Sequence, residues 1–166
     1  MKQVKLYGWL LFLASLFCTV QSNAQISTRK LEAIYLYNFT KYINFPTSTG
    51  KYTIGVLQEQ GVANELQSNL QSKGGVEVRS IGSVGEAQEC HILYVPKAAS
   101  SQLNDLVSHL NNSGVLIVTE EDLAAEGAPV SFVVDGSKLR FKINKLALEQ
   151  TGLQASSNLL SLAILV

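Results

Sequence analysis

The order of apolar runs predicts alternating strands and helices through the middle of the chain. Apolar residues three or four positions apart predict two helices, one from Val62 to Leu70 and one from Leu103 to Leu110. Short runs rich in β-branched and aromatic residues predict strands at Tyr52–Leu57, Val76–Ile81, His91–Val95 and Val115–Val118. The last run contains no polar residue, which is typical of a strand in a parallel sheet covered on both faces.

The stretch from Pro129 to Leu162 predicts a hairpin followed by two helices. Alternating apolar residues on either side of Asp135-Gly136 predict two antiparallel strands joined by a tight turn. Asn144 is the predicted N-cap of the next helix, and Gly152 is its predicted C-terminal glycine. The whole pattern predicts one α/β domain, a three-layer unit with a largely parallel sheet and a C-terminal antiparallel hairpin.

Before the hairpin, Thr119 and Asp122 have the spacing of a capping box, with Asp in place of the usual Glu or Gln. They predict a short helix immediately after the fourth strand.

The segment from Ser27 to Phe45 predicts a helix with a wide apolar surface. It ends before Pro46, because the residue that precedes a proline is pushed out of the α region. Its large apolar residues form two neighbouring stripes, and one sheet face covers only part of a helix. The second stripe is therefore predicted to pack in the core, against a second helix, or against a partner chain. We take as the candidate partner or dimer surface Leu36, Phe39, Ile43 and Phe45.

One strand of the predicted hairpin has a cationic face, formed by Lys138, Arg140 and Lys142. Such a face can meet an acidic surface of a partner, and we take it as a candidate electrostatic surface. The alternative is that Lys and Arg protect an edge strand from pairing with other edges.

The first 24 residues, Met1 to Ala24, predict a cleaved secretory signal. Two lysines precede an apolar run, and small residues precede Gln25. A membrane anchor is the alternative, although an apolar run of about 15 residues is short for a span of about 20. Lipidation at Cys18 is disfavoured by Phe17, where a small residue is required. Removing 24 of 166 residues leaves 142 for one domain over residues 25–166.

Charge and residue content narrow the classes of function. Without the two lysines of the signal, 11 basic residues face 13 acidic ones, a net charge of −2 that argues against a general nucleic-acid binder. Cys90 is the one cysteine of the predicted mature chain, so no disulfide within that chain is expected. We predict a buried thiol with no structural bond at this position.

No motif for catalysis or for metal or cofactor binding is found. Cys90 and His91 are neighbours on a predicted strand, so their side chains point to opposite faces, and His109 has no partner at ligand spacing. The run Gly82–Gly85 follows a strand but lacks the glycine fingerprint of a phosphate-binding loop, so a plain turn is favoured over a phosphate site. We expect no catalytic residue, cofactor or metal.

Five segments of the chain carry a resemblance to a known family: Leu31–Tyr42 with Phe45-Pro46, Cys90–Val95, Val115–Thr119, Phe132–Asn144 and Gly152–Ala163. In their order and spacing they resemble the YfiR-like family of periplasmic regulatory proteins. The resemblance implies a periplasmic regulator without cofactor or enzymatic activity. The namesake of the family represses a membrane-bound diguanylate cyclase, which lowers cyclic di-GMP and biofilm formation, and it forms dimers.

The chain also departs from the family's namesake in its cysteines. The namesake carries further cysteines that form disulfides, whereas Cys90 has no partner in the predicted mature chain. The expected partner is a membrane-bound signalling protein such as a diguanylate cyclase, or a second copy of the chain. Two other hypotheses stay open: a sensor that holds a small ligand in a crevice near Thr119 and Glu120, and, third, an unrecognised enzyme.

Overall fold

A largely parallel sheet forms the centre of the protein in the computed structural model, which describes residues 22–46 and 50–166. Within these residues, the strands are β1 (Ile43–Asn44), β2 (Tyr52–Leu57), β3 (Val76–Ile81), β4 (Ile92–Val95), β5 (Leu116–Thr119), β6 (Val130–Asp135), β7 (Lys138–Ile143), β8 (Gln154–Ala155) and β9 (Ile164–Leu165). The α-helices are α1 (Ser22–Tyr42), α2 (Gln60–Leu70), α3 (Val84–Ala87), α4 (Leu103–His109), α5 (Lys145–Gln150) and α6 (Ser157–Leu162). Two 3₁₀ helices cover Lys97–Gln102 and Ala124–Glu126.

Seven strands form the main sheet in the order β3-β2-β4-β5-β6-β7-β9, and β1 pairs with β8 in a separate two-stranded sheet. From β3 to β6 all neighbours are parallel, and the β6–β7 hairpin is antiparallel. A turn of two residues at Gly136 and Ser137 joins β6 to β7, with Asp135 opposite Lys138. Gly136 has a φ of 62°, the left-handed conformation that favours glycine.

Helices cover both faces of the sheet. On one face, α1 and α2 pack with the inward side chains of β2, β4, β5, β6 and β7 in the larger apolar cluster, which also receives Leu148 of α5 and Leu159 of α6. On the other face, Ala87 of α3 and Leu103 and Leu106 of α4 join a second apolar cluster. The predicted three-layer α/β architecture is confirmed.

Local signals place most of the element ends. Strands β2 and β3 have the predicted bounds. The Asn144 side chain accepts a hydrogen bond from the Ala147 N–H at 3.0 Å, and Gly152, with a φ of 82°, follows α5. The predicted N-cap and C-terminal glycine are therefore confirmed.

Two predicted elements are corrected. Helix α1 ends at Tyr42 rather than Phe45, because Ile43 and Asn44 pair with β8 and the Tyr42 carbonyl accepts from the Ser156 N–H. No α-helix starts at Thr119, because its hydroxyl bonds to the Glu121 carbonyl and to Ser131 Oγ, each at 2.7 Å, instead of capping a helix.

The predicted signal segment, Met1 to Ala24, lies outside the described residues up to position 21. None of the described helices is long and apolar enough to cross a bilayer.

Candidate functional site

The most concentrated polar chemistry of the described chain lies where β4 and β5 end. In the order β3-β2-β4-β5, the chain adds strands on one side of β2 and then on the other, so the direction of growth reverses between β2 and β4. Open α/β sheets bind ligands in the crevice outside the carboxyl ends of the strands at such a point, and the ends of β4 and β5 lie beside it. Helix α1 crosses this edge and brings Arg29 and Glu32 to it.

Arg29 is the centre of the site and joins four parts of the fold. Its guanidinium donates to Glu32 Oε2 at 2.7 Å within α1, to Tyr94 Oη of β4, and to Glu120 Oε1 at 2.9 Å after β5. Its Nε lies 3.5 Å from Glu65 Oε2 of α2. The Arg29 side chain is only 12% exposed, so these contacts are poorly screened by water. We call Arg29, Glu32, Tyr94 and Glu120 the Arg29 cluster.

Glu32 and Tyr94 form the buried part of the Arg29 cluster. Both residues are buried, and Tyr94 Oη donates to Glu32 Oε2 at 3.1 Å while it accepts from Arg29. Burial, together with the nearby Glu120 charge, raises the pKa of Glu32 from 4.5 to about 7, although Arg29 and the Tyr94 hydrogen bond oppose the shift. Burial and the Glu32 charge also raise the pKa of Tyr94, so its hydroxyl stays protonated.

The outer part of the site links it to the loop after β4. Glu120 Oε2 accepts from the Lys97 backbone N–H at 2.8 Å, while the Lys97 ammonium contacts Glu121 at 2.8 Å. Ser100 Oγ donates to Glu121 Oε2 at 2.9 Å. Two ion pairs therefore hold the acidic segment after β5 in place: Glu120 pairs with Arg29, and Glu121 pairs with Lys97.

A crevice of about 420 Å³ opens beside the Arg29 cluster. It is bounded by α1, by the acidic segment after β5 and by the tip of the β6–β7 hairpin: Thr28, Glu32, Glu120, Glu121, Asp122, Phe132, Val133, Val134 and Leu139 line it. Four of these nine residues are apolar and four are acidic. The volume falls within the range of about 300 to 1,000 Å³ that is usual for small-ligand sites.

The structure places Cys90 and His91 away from this crevice. The Cys90 thiol is buried and free, and burial raises its pKa, so it stays protonated. His91 Nδ1 accepts from the Thr53 N–H at 3.1 Å, and burial lowers its pKa. No group of three or more potential metal ligands lies among the residues that the structure describes. At Gly82, the turn that follows β3 is occupied by the Glu86 carboxylate, which accepts from the Gly82 N–H at 3.3 Å.

The four residues of the candidate partner surface lie in the core. Leu36 and Phe39 are 0% exposed, Ile43 is 4% exposed and Phe45 is 6% exposed. These four residues are needed inside the chain, because α1 packs on the sheet and on α2, and α6 adds to the same cluster. We therefore correct the placement of these residues on an outer surface.

The cationic strand face lies on β7, and two of its three residues are paired within the chain. Arg140 contacts Asp135 at 3.0 Å and Lys142 contacts Asp122 at 2.6 Å, whereas Lys138 is exposed. Strand β9 pairs with β7 only at Lys142 and Ile143. Both interpretations of this face, edge protection and contact with an acidic partner, stay open.

Sequence reasoning named Glu120 as part of a crevice but missed Arg29, Glu32 and Tyr94. Two signals could have found them. Arg29 and Glu32 have the i,i+3 spacing of a helical ion pair. Tyr94 lies within an apolar strand, where a buried tyrosine hydroxyl needs a hydrogen-bond partner.

Comparisons with known proteins support the fold and the family resemblance. A family model described as YfiR/HmsC-like matches residues 29–164. The chain is also similar to the crystal structure of a conserved domain protein from Vibrio cholerae O1 biovar El Tor strain N16961, with 16% identity and a TM-score of 0.61 over 82% of this chain and 59% of that chain.

A second solved structure is similar at the same level. It is an ABC domain in complex with L-Trp from Streptococcus pneumonia, with 16% identity and a TM-score of 0.56 over 78% of this chain and 58% of that chain. The chain thus spans about three fifths of each solved chain, and likeness at this identity concerns the fold alone. Comparison with proteins of curated function finds no match.

Proposed function

The chain belongs to the YfiR/HmsC-like family, and from this premise we propose that it is an exported regulator that binds a membrane-bound signalling protein on the periplasmic side. The observation that carries the proposal is the family match over residues 29–164, which begins at Arg29 and ends at the first residue of β9. The proposed partner is a diguanylate cyclase or a related signalling protein, and the action is contact rather than turnover.

An exposed apolar flank of α1 is the surface we assign to the partner. Leu31, Ile34 and Tyr42 are 41%, 39% and 42% exposed, although Ala33, Leu36 and Phe39 of the same helix are buried in the larger cluster. We call these three residues the outer α1 flank. Exposed apolar groups on a well-packed helix favour a protein contact, because aromatic and aliphatic side chains provide most of the binding energy in interfaces.

The test uses cross-linking in cells, followed by purification of the tagged chain from membranes and identification of the attached protein. We expect Ile34→Glu to reduce capture of a membrane-bound signalling protein by at least about tenfold, because a charge at the centre of an apolar contact is desolvated without a partner. Asn64→Glu, on the exposed surface of α2, is the matched control and should bind normally. Equal capture by wild type and Ile34→Glu would remove the outer α1 flank from the proposal.

A small-ligand sensor is the second candidate, favoured by the crevice of about 420 Å³ at the carboxyl ends of the strands. A library of small solutes would be screened by thermal unfolding of the purified protein. A binder should raise the unfolding temperature, and Val134→Trp, which fills the crevice from an exposed position, should abolish the increase. If no solute shifts the unfolding of the wild type, this candidate is rejected.

A further inference from the structure

The N-terminal half of α1 is held to the sheet by a cluster whose charge balance depends on one proton. Arg29 is a single cation that lies 2.7 Å from Glu32, 2.9 Å from Glu120 and 3.5 Å from Glu65. When all three carboxyl groups are ionised, the charges around Arg29 sum to −2. When one of them is protonated, they sum to −1, and the repulsion between the carboxylates falls.

Glu32 is the member of this set that water reaches least. Its side chain is 3% exposed, compared with 26% for Glu120 and 63% for Glu65. The titratable and charged groups near it come from every element packed at this edge: Arg29 from α1, Glu65 from α2, Tyr94 from β4, Lys97 from the following 3₁₀ helix, Glu120, Glu121 and Asp122 from the segment after β5, and Lys142 from β7.

The cations of that set are already engaged. Lys97 contacts Glu121 and Lys142 contacts Asp122, so Arg29 is the one cation that contacts Glu32 within the described part of the chain. The Tyr94 hydroxyl donates to Glu32 Oε2 at 3.1 Å and, like Arg29, favours the ionised carboxylate, so burial and the neighbouring Glu120 charge are what favour the proton.

We propose that Glu32 is a proton-operated latch that fastens the N-terminal half of α1 to the carboxyl edge of the sheet. With Glu32 neutral, Arg29 faces the two more exposed carboxylates, Glu120 and Glu65, and the helix is held closed over the edge. With Glu32 ionised, a third and buried carboxylate shares the same arginine, and the helix opens from the sheet more often. Opening widens the crevice that Glu32 lines.

The direction of the pH dependence follows from the raised pKa of Glu32, which burial moves from 4.5 to about 7. An opened helix exposes Glu32 to water and returns its pKa to about the ordinary value. The closed form therefore holds a proton that the open form has lost between these two pH values. The latch is at full strength below about pH 4.5 and is lost as the pH rises through about 7.

Hydrogen exchange of the α1 backbone amides from Lys30 to Leu36 tests the latch. Protection factors correct for the intrinsic pH dependence of exchange, so they report the opening equilibrium itself. From about pH 5 to about pH 8, the opening constant of the wild type should rise by between about tenfold and a hundredfold, since each unit of pKa shift is a factor of ten. Glu32→Gln keeps the shape and the hydrogen bonds but cannot titrate, so its opening constant should stay within about twofold.

Glu65→Gln is the matched control, because Glu65 contacts the same arginine from an exposed position. It should retain the pH dependence of the wild type. An equal pH dependence in wild type and Glu32→Gln would overturn the latch. If Glu32→Gln fails to fold, nuclear magnetic resonance titration of the Glu32 carboxyl carbon in the wild type decides the question: a midpoint above pH 6 supports the latch, and one near 4.5 overturns it. The latch goes beyond the proposed function, and these measurements need no partner.

Discussion

Replacing Phe39 by alanine should lower the free energy of unfolding, and this effect should not depend on contact with a partner. Phe39 is 0% exposed and packs in an aromatic group on the inner face of α1, with ring centroids 5.2 Å from Phe141, 6.3 Å from Phe132 and 6.4 Å from Tyr35. Truncating a fully buried phenylalanine costs about 3 to 5 kcal/mol, because contacts are lost and a cavity remains. A domain of this size is stable by about 5 to 15 kcal/mol, so the variant should fold with much of its stability lost.

Urea unfolding followed by circular dichroism measures this loss. With a slope of about 2 kcal/mol per molar, a cost of about 4 kcal/mol lowers the midpoint by roughly 2 M. Ile34→Ala on the same helix is the control, because Ile34 is 39% exposed and should cost about 1 kcal/mol or less. A Phe39→Ala protein with the stability of the wild type and weakened association would refute the core placement and restore the partner surface.

Three further predictions concern the Gly55–Cys90 contact, a helix cap and the N-terminus. A Cβ added at Gly55 would lie 2.6 Å from Cys90 Sγ, so Gly55→Ala should reduce the free energy of unfolding by about 1 to 3 kcal/mol. Cys90→Ala alone should cost about 1 kcal/mol. A double-mutant cycle by urea unfolding should show that Cys90→Ala relieves part of the cost of Gly55→Ala. Additive effects would contradict this contact. Asn144→Ala should cost about 1 to 2 kcal/mol in the same assay, because it removes the cap of α5 and the bond from Asn144 Nδ2 to the Ala124 carbonyl, whereas Asn158→Ala, at an exposed position in α6, should be nearly neutral. Mass spectrometry of the exported protein should find a mature N-terminus at or near Gln25, and an intact Met1 would contradict export by signal cleavage.

Local signals made much of the fold predictable from the sequence. Short runs rich in β-branched and aromatic residues predict both strands, Tyr52–Leu57 and Val76–Ile81, and the Asn144 and Gly152 caps need only neighbouring residues. Thr119 shows the limit of such signals. Its spacing to Asp122 suits a cap, but Ser131 from the adjacent strand offers its hydroxyl a bond at 2.7 Å that the sequence pattern does not contain.

The errors at α1 and at the site have one physical origin, which is contact between distant parts of the chain. Helical periodicity identified both apolar stripes of α1 but could not say that α2, the sheet and α6 cover one of them and leave Leu31, Ile34 and Tyr42 of the other exposed. Arg29 and Tyr94 are 65 positions apart, and Arg29 and Glu120 are 91 apart. The Arg29 cluster exists because the strand order brings the ends of β4 and β5 side by side beneath α1, and a single sequence does not reveal that order.

The central claim is that the chain regulates a membrane-bound signalling protein by contact from the periplasm. The cellular level of cyclic di-GMP tests this claim most directly. The measurement compares cells that lack the chain with cells that express the wild type, Ile34→Glu, or a form without residues 2–24 that stays inside the cell. The account predicts that loss of the chain raises cyclic di-GMP and that only the exported wild type returns it to the original level. Cyclic di-GMP that is unchanged by loss of the chain, or that is restored equally by the unexported form, would contradict the account.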